Sequence, residues 1–189
     1  IFVATPLLVP FVVIGLIGVA GAGGLLLTQG YRMERITVWL DPAASEKGHQ
    51  TIQGLYAIGS GGLFGKGLGQ SMQKLGFLPE ANNDMIFSVI CEELGLFGAI
   101  FVIIVFGVML WRIAHVAQNA PDLFGTLLVS GVFAHIAIQV VLNIAVVTNF
   151  IPNTGVSLPF ISYGGTSEII LLAEIGLVLN VSSKIRLES

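Results

Sequence analysis

Long apolar runs separated by shorter polar segments dominate the pattern along the chain. A membrane-spanning helix needs about 20 mostly apolar residues, and a segment inside a bilayer must have its backbone hydrogen bonds satisfied, which only helices and closed barrels achieve. The pattern therefore predicts an all-α integral membrane protein with about four transmembrane helices. Their predicted bounds are 8–29, 94–113, 123–147 and 166–183.

Two connections between these spans have an unusual composition. The first, residues 30–93, is long and glycine-rich and holds most of the polar residues. It is too apolar for a disordered segment, so we expect a partly helical cap on the membrane surface, with a short amphipathic helix at 50–58 and a tight glycine-rich turn at 59–69. The second, residues 148–165, is apolar but contains prolines and glycines that forbid a helix. It predicts a re-entrant loop that packs against protein.

Composition and charge support lipid as the solvent. Hydrophobic residues make up 54% of the 189 residues and charged residues 10%, against about 25% charged residues in soluble domains. The net charge of −3 comes without a basic cluster, so the electrostatic footprint of a nucleic-acid-binding protein is missing and we expect no nucleic-acid partner. The single cysteine, Cys91, excludes an intrachain disulfide and a CxxC motif.

The distribution of basic residues favours one orientation in the membrane. A raw count places more of them on the long connection, but the positive-inside rule counts short loops and residues that flank the spans. The short segments 112–122 and 182–189 carry basic residues at the higher density, so we expect residues 30–93 outside the cell. The chain begins with Ile1 and not with methionine, and we expect it to continue from a preceding part of a longer protein.

The glycine-rich stretch 59–69 could be taken for a phosphate-binding loop. A Walker A motif requires glycine where Ser60 stands and serine or threonine where Gly67 stands, so the pattern fails. The favoured interpretation is that these glycines allow tight turns and close approach between helices.

Among the acidic residues of the long connection, Asp84 stands out because the apolar run 85–87 follows it at once. A carboxylate at the edge of an apolar segment is partly desolvated, which suits it to proton transfer. The alternative is structural, since an aspartate before an apolar run is also typical of a helix N-terminus. The residues alone favour the helix cap, and Glu92 and Glu93 are open to the same interpretation.

Polar residues also occur inside the predicted spans. His135, Gln139 and Asn143 recur every four residues and share one helical face, which we expect to point toward the bundle interior or a wet cavity. Hydrogen bonding between helices is the alternative explanation, and His135 has no visible partner for a metal site. Glu168 and Glu174 are intramembrane carboxylates that point in different directions around their helix.

Several motifs are specific as a set, in this order and spacing, although each motif alone is modest. They are YRMERITVWLDP (31–42), HQTIQGLYAIGSGGLFGKGLGQSMQKLGFLPE (49–80), NDMIFSVICEELGLFG (83–98), APDLFG (120–125), IQVVLNIAVVTNFIPNTGVSLPFISYGGTS (138–167) and GLVLNVS (176–182). With this set the chain resembles the SEDS proteins (shape, elongation, division and sporulation) of the FtsW, RodA and SpoVE type.

The resemblance implies a bundle of about ten transmembrane helices, of which this chain would supply the last four. The long connection would be extracellular and the C-terminus cytoplasmic, in a bacterial plasma membrane. The resemblance also implies peptidoglycan glycosyltransferase activity. Such an enzyme polymerises lipid II on the outer face of the membrane, with an undecaprenyl-pyrophosphate-linked glycan as donor and a class B penicillin-binding transpeptidase as partner.

The resemblance also assigns candidate site residues. The family's catalytic acid lies in a motif like LPE-x-(His/Gln)-Thr-Asp-Phe-Ile-Phe, which reads LPEANNDMIF here and maps the acid to Asp84, with Asn82, Asn83 and Met85 as departures. Asp84 would be the general base, and Mg²⁺ or Mn²⁺ is a plausible cofactor without an assigned protein ligand. The candidate substrate-binding residues are Arg32, Arg35, Gln73, Lys74 and Glu80.

Two other classes of function stay open. A lipid II flippase would use the polar face of His135, Gln139 and Asn143, together with Glu168 and Glu174, as a path for a headgroup. A non-catalytic scaffold would only recruit the transpeptidase.

Overall fold

The computed structural model describes residues 13, 30–44, 48–75, 78–79 and 81–185, and of residues 30–34, 44 and 75 it describes the backbone alone. The first predicted span, 8–29, therefore lies outside the described residues apart from position 13. Among the candidate site residues, Glu80 and the side chain of Arg32 lie outside them as well.

Helices are the regular elements of the described ranges, and no strand occurs among them, which confirms the all-α prediction for this part of the chain. Two of the helices fall within the long connection 30–93, which is partly helical as predicted, and short 3-10 turns occur there at Pro42–Ala44 and Gln73–Leu75. The helices are α1 (Gly30–Leu40), α2 (His49–Gly61), α3 (Ile86–Gln118), α4 (Leu123–Val147) and α5 (Gly165–Ser183).

Among the described residues, α3, α4 and α5 are the helices that are long and apolar enough to cross a membrane. They contain 33, 25 and 19 residues. Much of their apolar surface is not covered by the rest of the chain, since Phe101 and Trp111 of α3 are each 65% exposed. Such surface fits contact with lipid or with further helices. The bundle of about ten helices, which would include helices outside this chain, stays a prediction.

One stripe of α4 lies at the centre of the packing. Val129, Val132, Ile136, Val140 and Asn143 are spaced by three or four residues, which places them on one face, and all of them are buried. The link between α3 and α4 is short, so these helices run in opposite directions. The loop that joins α4 to α5 contacts the turn before α3, since the amide of Tyr163 donates to the carbonyl oxygen of Asn82. The start of α3, the end of α4 and the start of α5 therefore lie at one end of the bundle.

Helix α3 is interrupted at Gly95, where φ is 68° and ψ is −165°. A positive φ of this size favours glycine, because other residues meet a steric penalty there. In an unbroken helix the amides of residues 96 and 97 would donate to the carbonyls of residues 92 and 93. These two amides and two carbonyls instead form hydrogen bonds with the glycine-rich segment 62–67, so none of the four groups is left unsatisfied. These bonds run from the amide of Leu96 to Gly62 (2.9 Å), Phe97 to Leu63 (3.3 Å), Lys66 to Glu92 (2.9 Å) and Gly67 to Glu93 (3.0 Å).

Glycines let α2 and the segment after it approach α3 closely. A side chain at Gly61 would overlap the carbonyl oxygen of Cys91, and a side chain at Gly65 would overlap the carbonyl oxygen of Glu93. The interpretation of these glycines as residues for tight turns and close helix approach is therefore confirmed.

Gly61→Ala is expected to destabilise the protein by about 1–3 kcal/mol, the usual cost of overpacking. Gly59→Ala is the matched control in the same helix, because nothing lies within 4 Å of the added Cβ, and it should stabilise the helix by about 0.5–1 kcal/mol. Thermal unfolding of the purified protein in detergent compares the two variants. Equal melting temperatures would contradict the close contact between α2 and α3.

Candidate active site

Asp84 lies in the turn 81–85 that leads into α3, and it is 8% exposed. The residue that caps α3 is Met85, whose side chain makes no capping hydrogen bond. Asp84 therefore precedes the cap position, and its interpretation as the helix-capping residue is wrong. The turn places a buried carboxylate at the end of the bundle where α3, α4 and α5 meet their loops.

A series of hydrogen bonds links three elements that are distant in sequence to the Asp84 carboxylate. Gln50 of α2 donates through Nε2 to Oδ1 at 3.3 Å and to Oδ2 at 3.5 Å. Asn153, in the loop 148–164, donates through Nδ2 to Gln50 Oε1 at 3.1 Å. Arg35 of α1 donates through Nη1 to the carbonyl oxygen of Asn153 at 2.8 Å. The structure thus brings one candidate substrate-binding residue, Arg35, to the neighbourhood of Asp84.

Asn143 of α4 holds the backbone at Asp84. It is fully buried, and its Nδ2 donates to the carbonyl oxygens of Asp84 and Val156, each at 2.8 Å. The amide of Tyr163 donates to the carbonyl oxygen of Asn82 at 2.8 Å, so the loop after α4 contacts the same turn at a second point. Asn143 therefore has a structural role in hydrogen bonding between segments, which agrees with the alternative explanation for the polar face of His135, Gln139 and Asn143.

His135 and Glu174 join the middle of α4 to the middle of α5. His135 Nδ1 lies 2.9 Å from Glu174 Oε1 and 3.0 Å from Oε2. Gln139, one turn further along α4, is half-buried and its Oε1 has no hydrogen-bond partner among the described residues. Glu168 is exposed in the first turn of α5. The structure therefore separates the two glutamates, as their spacing indicated, and pairs one of them with His135.

Breaking the pair between α4 and α5 should cost little. A double-mutant cycle of His135→Ala and Glu174→Ala is expected to give a coupling energy of about 0.6 kcal/mol and at most about 1.7 kcal/mol, the range for hydrogen bonds between membrane helices. Thermal unfolding in detergent measures it. The control cycle combines His135→Ala with Glu168→Ala. Because Glu168 lies at the start of α5, the effects of these two substitutions should be additive. Equal coupling in the two cycles would contradict a direct bond.

Glu92 is a second buried carboxylate at this end of the fold, just before the break in α3, and it is 0% exposed. Lys66 Nζ lies 2.6 Å from its Oε1, and Ser71 Oγ donates to its Oε2 at 2.5 Å. The interpretation of Glu92 as an acid at a helix start is wrong, because α3 begins at Ile86. Further donors to its carboxylate, each at 3.3 Å, are Ser60 Oγ and the backbone amides of Met72 and Gln73.

Two candidate substrate-binding residues, Gln73 and Lys74, are held beside the same part of α3. Lys74 Nζ lies 3.9 Å from Glu93 Oε1, and the lysine side chain is 45% exposed. Gln73 Oε1 is buried without a hydrogen-bond partner among the described residues. Glu93 is seven positions beyond Ile86, where α3 begins, or about 10.5 Å along a helix that rises 1.5 Å per residue. Gln73 and Lys74 therefore form a cluster separate from the one that holds Arg35.

The donor set at Asp84 differs from that of a metal site. Mg²⁺ and Mn²⁺ prefer several oxygen ligands, whereas an N–H group of Gln50 faces the Asp84 carboxylate. Over the described ranges, no group of three or more His, Cys, Asp or Glu side chains could hold a metal ion. These residues therefore give Mg²⁺ or Mn²⁺ no preformed site, and the cofactor stays a prediction.

Sequence reasoning missed Gln50 and Asn153. They are 103 positions apart, and Asn153 belongs to a loop that was identified only by its prolines and glycines. The one available signal was a polar side chain in the first turn of the amphipathic helix predicted at 50–58. Nothing local indicated which carboxylate that side chain would meet.

Comparison with known proteins places the chain in a family. Residues 1–187 match the family model FtsW/RodA/SpoVE, described as cell cycle protein. The chain is 50% identical over 186 residues to stage V sporulation protein E of Bacillus subtilis (strain 168), a match that covers 96% of this chain and 50% of that protein. It is 44% identical over 174 residues to the probable peptidoglycan glycosyltransferase FtsW of Geobacter sp. (strain M18), covering 91% of this chain and 47% of that protein.

Solved structures agree with the sequence matches. A chain from a structure described as "Structural coordination of polymerization and crosslinking by a peptidoglycan synthase complex" matches with a TM-score of 0.70 at 28% identity, over 95% of this chain and 50% of that chain. The rod shape determining protein RodA of Thermus thermophilus matches with a TM-score of 0.54 at 37% identity, over 71% of this chain and 40% of that chain. The chain spans about half the length of the relatives it matches. It belongs to the FtsW/RodA/SpoVE family of cell cycle proteins.

Proposed function

We propose that this chain is part of a peptidoglycan glycosyltransferase that polymerises lipid II into glycan strands during cell division, sporulation or elongation. Relatives from Geobacter and Bacillus are named probable peptidoglycan glycosyltransferase FtsW, and a chain of similar fold occurs in a peptidoglycan synthase complex. The observation that carries the proposal is Asp84 itself, a buried carboxylate that accepts hydrogen bonds from Gln50 at the end of the bundle.

Asp84 is the general base of the proposed reaction. Its carboxylate takes the proton from a sugar hydroxyl of lipid II as that oxygen attacks the anomeric carbon of the growing glycan. The bond from this carbon to undecaprenyl pyrophosphate breaks, the electron pair leaves with the pyrophosphate, and the configuration at the carbon inverts. Proton transfer by a positioned group contributes about 10²–10⁴-fold in rate.

The leaving pyrophosphate needs positive charge near it. Arg32 and Arg35 supply this charge in the proposal. Lys74, Gln73 and Glu80 contact other parts of the substrate, since Lys74 and Gln73 lie in a cluster separate from Arg35. Half of the Lys74 side chain is open to solvent, since 45% of its surface is exposed. The Arg35 guanidinium also donates a hydrogen bond to the Asn153 carbonyl oxygen.

The orientation and the partner follow from the same proposal. The connection that contains α1 and α2 lies on the outer face of a bacterial plasma membrane, and the C-terminus lies in the cytoplasm. The partner is a class B penicillin-binding transpeptidase whose single transmembrane helix packs on α3 and α4. Exposed apolar side chains along α3, including Phe101 and Trp111, offer a surface for such a helix.

A lipid II flippase is the second candidate, and one observation favours it. The side chains of His135 and Glu174 are 43% and 22% exposed in the middle of their helices, where polar groups often mark a transport path. Their mutual hydrogen bond is the structural explanation of the same arrangement.

One assay separates these functions. The full-length protein is purified with its transpeptidase, placed in vesicles with labelled lipid II, and followed both by glycan ladders on a gel and by movement of lipid II across the bilayer. Glycan strands without movement support the glycosyltransferase. Movement without strands would identify a flippase, the absence of both would identify a scaffold, and either result overturns the proposal.

A further inference from the structure

We propose that Gln50 is a positioning residue for the Asp84 base and that Asn153 sets the orientation of Gln50. This inference rests on the proposed function, in which Asp84 accepts the proton. Asn153 donates to Gln50 at 3.1 Å, and Gln50 donates to both Asp84 oxygens at 3.3 and 3.5 Å. Gln50 and Asn153 act through Asp84 and do not touch the reacting atoms.

A single backbone amide fixes the direction of the hydrogen bonds along this relay. A backbone N–H can only donate, and the N–H of Gly155 lies 2.9 Å from Asn153 Oδ1. The side-chain amide of Asn153 therefore turns its Nδ2 toward Gln50, which must accept through Oε1. The Nε2 of Gln50 then faces Asp84. The hydrogen bonds of Gly155, Asn153 and Gln50 are all consistent with these two side-chain orientations.

The direction of the relay matters for the chemistry of Asp84. An N–H group that faces a carboxylate favours the ionised form, which only accepts hydrogen bonds, and the ionised form is the one that can remove a proton. The contacts from Gln50 are at the long end of the hydrogen-bond range. They therefore suit orientation of the carboxylate more than strong stabilisation of its charge.

Different elements hold the backbone and the side chain of Asp84. Asn143 of α4 holds the carbonyl oxygen at 2.8 Å, and Gln50 of α2 contacts the side-chain oxygens. Arg35 anchors the far end of the relay through a charge-assisted hydrogen bond to the backbone of Asn153. Because Arg35 is also a candidate pyrophosphate ligand, a change there would alter two functions at once. Gln50 and Asn153 are the cleaner positions for a test.

The test measures lipid II polymerisation by the full-length protein with its partner. Gln50→Leu is expected to lower kcat by about 10-fold to 100-fold, the loss that follows when a reacting group is misplaced by up to about 1 Å. KM should stay the same, because no substrate contact is removed. Gln53→Leu, one helical turn along α2, is the matched control and should leave both constants unchanged.

Asn153→Asp tests the relay with Gln50 intact. A carboxylate at position 153 has no N–H to donate, so Gln50 must turn its Nε2 toward it and present Oε1 to Asp84. This variant should lose kcat as Gln50→Leu does. Only kcat is compared, because the added negative charge lies near Arg35, a candidate pyrophosphate ligand. The double variant Gln50→Leu/Asn153→Asp should be no slower than Gln50→Leu alone, because Asn153 acts through Gln50.

The outcomes distinguish this inference from the proposed function. Normal kcat in Gln50→Leu and Asn153→Asp, beside an inactive Asp84→Asn protein, overturns the positioning role and leaves the function in place. Losses that multiply in the double variant overturn the relay. An active Asp84→Asn protein overturns the role of Asp84 and the positioning role together. If Gln50→Leu does not fold, the kcat of Asn153→Asp decides.

Discussion

Asp84→Asn in the full-length protein is expected to lower the rate of lipid II polymerisation by about 10²–10⁴-fold, the contribution of a positioned general base. Asparagine has nearly the same shape as aspartate but cannot take up the proton at neutral pH. The hydrogen bond from Asn143 goes to the backbone carbonyl of residue 84 and survives the change, so the turn should stay folded. The measurement is the initial rate of strand formation from labelled lipid II.

Asp122→Asn is the matched control for this experiment. Asp122 is an exposed aspartate directly before α4, at the other end of the bundle, and its replacement should leave the rate unchanged. Thermal unfolding in detergent shows whether both variants are folded. A folded Asp84→Asn protein that polymerises at the rate of the control would show that Asp84 is not the base.

Glu92→Ala is expected to destabilise the protein by about 3–5 kcal/mol, the cost of removing one partner from a buried ion pair. The value should lie toward the lower end, because Lys66 is 34% exposed and can regain water. The change also removes the acceptor of Ser71 and of two backbone amides. All of these donors lie on the segment 60–73, which should loosen from α3. Thermal unfolding in detergent measures the loss.

Glu93→Ala is the neighbouring control. Its contact with Lys74 is 3.9 Å long and the lysine is 45% exposed, so the ion pair should contribute less than about 1 kcal/mol. A second control adds Lys66→Met to Glu92→Ala, and this step should cost little because the ion pair is already lost. If Glu93→Ala is as damaging as Glu92→Ala, the hydrogen bonds to the Glu92 carboxylate do not hold the segment 60–73 on α3.

The helical architecture could be predicted because it depends on local patterns. Apolar runs of sufficient length predicted the helices that became α4 and α5, and the amphipathic pattern at 50–58 predicted α2. Asp84 is a different case, since the residues around it favoured a helix cap and only the resemblance to SEDS proteins raised its catalytic interpretation. Its exclusion from the cap position required the backbone geometry of Met85.

The contacts that build the site could not be predicted, because they join segments far apart in the chain. Glu92 and Lys66 are 26 positions apart, and Gln50 and Asp84 are 34 positions apart. Pairing of this kind depends on how α2 packs on α3, which no local pattern encodes. The break at Gly95 could not be predicted either, because a glycine inside an apolar run is tolerated in a helix and predicts no break by itself.

Breaks in membrane helices often act as hinges, but the glycine-rich segment 62–67 stiffens the break in α3 at Gly95. The segment forms hydrogen bonds with the carbonyls of residues 92 and 93 before Gly95 and with the amides of residues 96 and 97 after it. Straightening the helix would form two bonds and lose four, at about 0.5–1.5 kcal/mol each. These bonds therefore favour the bent form of α3 by about 1–3 kcal/mol. The bend sets the tilt of the first part of α3, which Asp84 precedes, relative to the rest of the helix.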